Sequence, residues 1–131
     1  MTNKSNSFIE NKTQLIQYFK DGIKKDTDLR IGVEHEKILF NRTDLKRVDY
    51  DQIKKIFELL KEKGWEPQLE KDKFIGLQRQ NQKITTEPGF QYELSGAPLK
   101  DIHSVCSENS YHFNELKEVL KSTNITTSSI A

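Results

Sequence analysis

Two acid-rich segments hold the residues of this chain best suited to chemistry. They are Ile31-Gly32-Val33-Glu34-His35-Glu36-Lys37 and Glu87-Pro88-Gly89-Phe90-Gln91-Tyr92-Glu93-Leu94-Ser95-Gly96. Glutamate is a poor strand former, so glutamates two apart on a strand imply a face built for something other than packing. Side chains alternate along a strand that rises about 3.3 Å per residue, which sets Glu34 and Glu36 on one face roughly 6.6 Å apart. Glu93, and Glu87 with it, join that face if the second segment pairs nearby. Carboxylates about 6 Å apart repel by roughly 3 kcal/mol at an effective dielectric of about 20, and a cation offsets that. Mg²⁺ takes hard oxygen ligands, keeps several waters and shares carboxylates with substrate phosphates. A groove lined by Glu34, Glu36 and Glu93 therefore suits one or two such ions held against a nucleotide. The plainer reading is that these glutamates pair with lysines or face water, and for an isolated Glu-x-Glu it is the better one. The motif gains specificity only from its company.

Other reactive residue types point elsewhere. Alternation turns His35 to the opposite face, as a core or half-buried histidine. His103 and His112 fall in a helical stretch without metal-ligand spacing and read as structural. The six glycines form no phosphate-binding loop, no dinucleotide fingerprint and no nucleophile elbow. Any ATP would be held through metals and scattered side chains. Cys106 lies on an apolar helical stripe as an inert buried thiol, and Trp65 reads as core.

The elements that must position the glutamates follow from periodicity. Asn11 and Gln14 form a capping box for a helix carrying Leu15, Ile16, Phe19 and Ile23, ending near Gly22. Residues 29–40 alternate as a strand, and Asn41 to Asp44 make a turn. Asp49 and Gln52 cap a second helix whose apolar stripe is Ile53, Ile56, Phe57 and Leu60, with Gly64 at the left-handed C-terminal position. Phe74–Gln78 and Lys83–Thr86 are strands around a Gln80-Asn81 turn, and Pro88-Gly89 marks an edge, bulge or bend. A third helix starts near Asp101 and turns Ile102, Val105, Cys106, Phe113, Leu116 and Leu120 inward. This order predicts an α+β domain: an antiparallel sheet with flanking helices, part of a larger sheet. Residues 1–7 read as a disordered polar tail, 8–121 as one unit, and 122–131 as a truncated polar end.

With 131 residues, 34% of them hydrophobic, the chain supports one modest core. Twenty-one basic against twenty acidic residues leave a net charge of +1, which gives no field for nucleic acid or anionic membrane. No run approaches the roughly 20 apolar residues of a membrane span. One cysteine excludes an internal disulfide and favours a reducing compartment. With no apolar leader after Met1, the expected location is the cytoplasm.

The segments "RIGVEHEKILF", "FIGLQ", "TTEPGFQYELSGAPLKDIHSVCSE" and "LIQYFKDGIK" together resemble the N-terminal part of the plant and proteobacterial type of glutamate–cysteine ligase. The likeness runs over roughly residues 13–120. It implies ATP-dependent formation of γ-glutamylcysteine, the first step of glutathione synthesis. It also implies a fold similar to the catalytic domain of glutamine synthetase, an antiparallel sheet whose acidic face carries Mg²⁺ (or Mn²⁺). Carried over by residue, the resemblance makes Glu34 and Glu36 the first acidic pair and Glu93 the ligand of the second strand. Glu87 opens the Glu-Pro-Gly motif, and Gln91 lies beside substrate. These glutamates would be metal ligands rather than proton carriers, and no catalytic residue is assigned. The implied partners are small molecules: glutamate, cysteine and ATP.

This chain departs from the family pattern at Phe90, where a second glycine is usual, and at Asn81, where a turn glycine is usual. If alternation holds, Phe90 faces away from Gln91 and Glu93 and alters packing more than chemistry. Family members also run on well beyond residue 131, adding strands and basic residues, so the remainder of the catalytic domain is missing and the isolated chain is expected to be inactive. Two alternatives stand beside this reading. One is a related carboxylate–amine ligase using a different amine. The other is a non-catalytic partner that pairs its open sheet edge with another chain.

Overall fold

A computed structural model describes residues 8–129. The expected N-terminal tail, residues 1–7, lies outside the described residues. The elements are α1 (Lys12–Asp21), a 3₁₀ turn (Asp26–Asp28), β1 (Glu34–Asn41), α2 (Tyr50–Lys61), β2 (Glu66–Glu70), β3 (Lys73–Arg79), β4 (Gln82–Glu87), β5 (Gln91–Ser95), α3 (Ile102–Lys121) and β6 (Ile125–Ser129). The strands form one antiparallel sheet in the order β2-β3-β4-β5-β1-β6, the α+β architecture expected.

Alternation along the strands divides the sheet into two unlike faces. Leu39, Leu77, Ile84, Tyr92 and Leu94 lie on one face and join a core closed by α2 and α3. From α2 come Ile53, Ile56, Phe57 and Leu60, the stripe read from sequence. Its capping box is present in both directions: Gln52 N donates to Asp49 Oδ1 at 2.9 Å and Asp49 N donates to Gln52 Oε1 at 3.1 Å. Gly64 sits at φ +89°, the left-handed position that ends the turn.

Four expectations need correction. α1 forms where predicted, capped by Asn11, yet none of its residues is buried. Its stripe meets no sheet, and Phe19 is 67% exposed. In α3 the inward face is Val105, His112, Glu115, Leu116, Val119 and Leu120, whereas Ile102 and Cys106 are exposed. The helix rolls this way because its polar inward residues find partners on the sheet. Glu115 receives Trp65 Nε1 at 2.9 Å and both Arg79 amino groups at 2.8 and 3.1 Å, while His112 lies stacked on Tyr92 at 5.7 Å. The segment from Glu87 to Gly96 is not one strand but the end of β4, a three-residue turn and β5. Finally, two strands had no assignment. β2 contains Glu66 and Pro67 and shows no apolar alternation, which an edge strand tolerates. β6 forms within the polar end and pairs with β1, Ile38 opposite Ser128 and Phe40 opposite Thr126.

Candidate active site

The second face of the sheet carries the predicted site. In the β1–β5 ladder Glu36 stands opposite Glu93 and Glu34 opposite Ser95. In the β4–β5 ladder Glu93 stands opposite Thr85 and Gln91 opposite Glu87. Opposed residues of an antiparallel pair project to the same side, so Glu34, Glu36, Glu87, Gln91 and Glu93 share one face, away from α2 and α3. Glu36 and Glu93, with Cα atoms about 4.5–5.5 Å apart, are its central pair. Glu34 is one step along β1, beside a pocket of about 410 Å³ lined by Gly32, Val33, Ser95 and Gly96. Glu87 lies two positions from Thr85, at the far end beside the turn.

The two opposed carboxylates differ in surroundings. Glu36 is exposed, whereas Glu93 is only 7% exposed and accepts one hydrogen bond, from Ser95 Oγ at 2.9 Å. Like charges placed directly opposite destabilise a ladder, and a buried carboxylate with a single neutral donor has unused acceptor capacity. That donor set fits a hard divalent cation. Yet no group of three or more His, Cys, Asp or Glu side chains closes around one point among the described residues. The chain thus offers a two-carboxylate nucleus, with Glu34 and Glu87 flanking it on the same face.

The β4–β5 turn is built from Pro88, Gly89 and Phe90. Gly89 at φ +84° and the bond from Phe90 N to Glu87 O at 3.0 Å are the geometry of a turn with proline second and glycine third. Phe90 follows at φ +61°, left-handed and unusual for a bulky residue. This explains why glycine suits that position. The consequence of Phe90 is backbone strain as well as packing, since its ring lies partly buried against the core. Alternation alone, which treats the segment as a continuous strand, misses it. Arg47 Nη1 donates to Gly89 O at 3.2 Å and fastens the turn to the loop that enters α2.

Behind the face, α3 fixes the two acidic strands. Gly96 N donates to Val33 O at 2.8 Å, and Ile31 and Leu99 exchange backbone bonds at 2.7 and 2.9 Å, extending the β1–β5 register. Glu108 Oε1 accepts from Ala97 N at 2.9 Å and Gln82 Nε2 at 2.8 Å. A Cβ at position 96 would displace Glu108 Oε2 and crowd Val33 O at 3.2 Å, so glycine suits this close approach. His35 faces the helices, as alternation predicted. Burial, with the Lys37 charge beside it, lowers its pKa. Burial, the largest influence, lowers the pKa of His112, whose Nε2 lies 3.2 Å from Tyr92 Oη. For Glu115, burial pushes the carboxyl up. The nearby His112 ring, its Nδ1 3.9 Å away, the hydrogen bonds from Arg79 and Trp65, and the Arg79 charge outweigh it and bring the pKa to about 2.

Sequence reasoning overlooked Ser95 and Thr85, the polar neighbours of Glu93, although counting by two from Glu93 reaches Ser95. It also overlooked Arg47, which an isolated bridge between Phe40 and Arg47 brings to the face. No local pattern marks that long-range contact.

A family model described as glutamate–cysteine ligase family 2 matches residues 30–127. The chain belongs to glutamate–cysteine ligase family 2. The chloroplastic glutamate–cysteine ligases of Brassica juncea and Arabidopsis thaliana are each 42% identical over 109 residues, covering 82% of this chain and 21% of theirs. Ligase A of Oryza sativa subsp. japonica is 41% identical over 109 residues, 22% of its length. The chain thus spans about a fifth of the length of the glutamate–cysteine ligases it matches. The matched span includes β1 and β5 with both acidic segments. The names of these relatives overturn the cytoplasmic expectation, because they are chloroplastic proteins. A single cysteine does not say which compartment holds the chain.

Proposed function

We propose that this chain supplies the acidic sheet of an ATP-dependent ligase that joins the γ-carboxylate of glutamate to the amine of cysteine. The observation that carries the reading is the direct opposition of Glu36 and Glu93 on the face away from the helices. A carboxylate substrate and a triphosphate repel each other, and an enzyme joining them must neutralise both. Mg²⁺ or Mn²⁺ would be held by Glu36 and Glu93, with Glu34 and Glu87 flanking, and supplies that neutralisation when bound. Gln91, an amide that both donates and accepts, stands next to this acidic row and is the residue for orienting a polar substrate group.

In the reaction, a γ-carboxylate oxygen of glutamate attacks the γ-phosphorus of ATP and ADP leaves. The cysteine nitrogen then attacks the acyl carbon and inorganic phosphate leaves. This chain's residues bind and align; none of them is assigned a proton. The residues for cysteine selection and the rest of the nucleotide site belong to the remaining four-fifths of a full-length relative. The experiment is a graft. Residues 30–127 replace the corresponding segment of the Brassica juncea ligase, and γ-glutamylcysteine formation is measured. The graft is expected to be active and to lose activity with Glu36→Gln or Glu93→Gln. A folded graft indifferent to both substitutions would refute the reading.

A further inference from the structure

Arg47, like Arg30 and Arg42, bonds only to backbone carbonyl oxygen, unlike Arg79 and Lys63. Arg79 is consumed by Glu115 through both amino groups, and Lys63 is paired with Glu118 at 2.7 Å. Arg47 has no carboxylate within ion-pair distance among the described residues and spends one donor, Nη1, on Gly89 O. A guanidinium has five N–H donors in a planar fork, so most of its donor set is uncommitted.

One bond tethers the fork, and the backbone sets the side on which it lies. The Phe40–Arg47 bridge continues along β1 in the lane that β5 leaves at Lys37, which sets Arg47 on the same side as Ile38 and the acidic row. Gly89 lies so close beneath Nη1 that a Cβ there would collide with it. Glycine therefore serves both the turn's positive φ and the seat of the guanidinium. Arg47, Ile38, Pro88, Gly89, Phe90 and Gln91 together line a pocket of about 200 Å³. A tethered, unsaturated guanidinium beside an amide side chain matches an oxyanion, and holding it in advance reduces the ordering cost of binding. Position gives the reason for a cation here. A face rich in carboxylates repels anions, and one cationic fork at its rim lets an anionic group approach.

We infer that the Arg47 pocket is an anion site, taking a carboxylate or phosphate group against the guanidinium fork next to Gln91. The inference deepens the ligase reading, because glutamate and ATP are the two sources of such a group at this face.

The test uses the 131-residue chain without metal and at constant ionic strength. Backbone amide shifts are followed during separate titrations with L-glutamate and inorganic phosphate. Saturable shifts confined to Gly89, Phe90, Gln91 and Arg47 are expected. Arg47→Gln should weaken the binding about tenfold or more, and Arg47→Lys, which keeps charge but loses the fork, should fall between. Both variants should melt within about 3 °C of the parent, since an exposed side chain with one carbonyl bond contributes little to stability. A response to glutamate assigns the pocket to the amino-acid substrate, and a response to phosphate assigns it to the nucleotide. Silence toward both anions, or affinities unchanged in Arg47→Gln, would overturn the inference. Divalent-ion binding at Glu36 and Glu93 is read without either anion, so failure of one reading leaves the other measurable.

Discussion

Glu36 and Glu93 face each other across the β1–β5 ladder, two like charges opposed near the middle of a six-stranded sheet. A fold selected for stability alone would place opposite charges or an apolar pair there. Removing one charge should therefore stabilise the chain while damaging its proposed use. Glu93→Gln, which keeps an oxygen to accept from Ser95, should raise unfolding free energy by about 0.5–1 kcal/mol in urea titrations at low salt. A loss of stability instead would mean that the carboxylate is held by native partners rather than awaiting a cation.

The β4–β5 turn should be sensitive at Gly89. Gly89→Ala places a Cβ at φ +84° and against Arg47, so destabilisation of about 1–3 kcal/mol is expected. Phe90→Asn separates strain from packing, because asparagine tolerates the left-handed region but gives up the ring's partial burial. Chemical denaturation of both variants, with the amide shifts of Gln91 as the local reporter, checks this. A neutral Gly89→Ala would show that the turn is not constrained as described.

Acid should act on the chain in two stages, both from buried or half-buried groups on the helix side. His35 and His112 have pKa values lowered chiefly by burial. The unfolded state therefore binds more protons below about pH 6.5, and stability falls as pH drops through that range. Glu115, at about 2 in the folded state, contributes stability that is full above its ordinary value of 4.5 and disappears as pH falls toward 2. Its share is on the order of 3 kcal/mol. Glu115→Ala should remove the lower stage and destabilise at neutral pH by roughly 3 kcal/mol or more, since it strands Arg79 and Trp65. Urea melts at pH 7, 5 and 3 would expose an unaltered profile if the network is unimportant.

The sequence made some of this legible, and the reasons divide cleanly by residue. The alternation that puts Glu34 and Glu36 on one side and His35 on the other is a local property, and it holds. The α2 cap and stripe are local too, and both are observed. The opposition of Glu36 and Glu93 depends on register between segments more than 50 residues apart. Periodicity cannot supply that, although the family resemblance brought the same residues together. The roll of α3 is not legible from periodicity, because an inward Glu115 looks polar until Arg79 and Trp65 satisfy it. Pro88-Gly89 announces a bend between β4 and β5, but Phe90 conceals the left-handed residue that follows, which glycine would have announced.

Helix α1 offers a separate check on where stability resides. None of its residues is buried, although its stripe is apolar. Replacing Leu15, Ile16 and Phe19 together by serine should leave the melting temperature within about 3 °C, while reducing nonspecific hydrophobic dye binding. A collapse of stability would place α1 in the core after all.

The most direct test of the central claim is a Mn²⁺ titration of the chain followed by paramagnetic broadening of its backbone amides. The account predicts broadening centred on Glu34, Glu36, Thr85 and Glu93, displaced by excess Mg²⁺ and abolished in a Glu36→Gln, Glu93→Gln double variant that remains folded. Broadening that settles elsewhere, or that survives in the double variant, would contradict the claim that these opposed glutamates form a cation site.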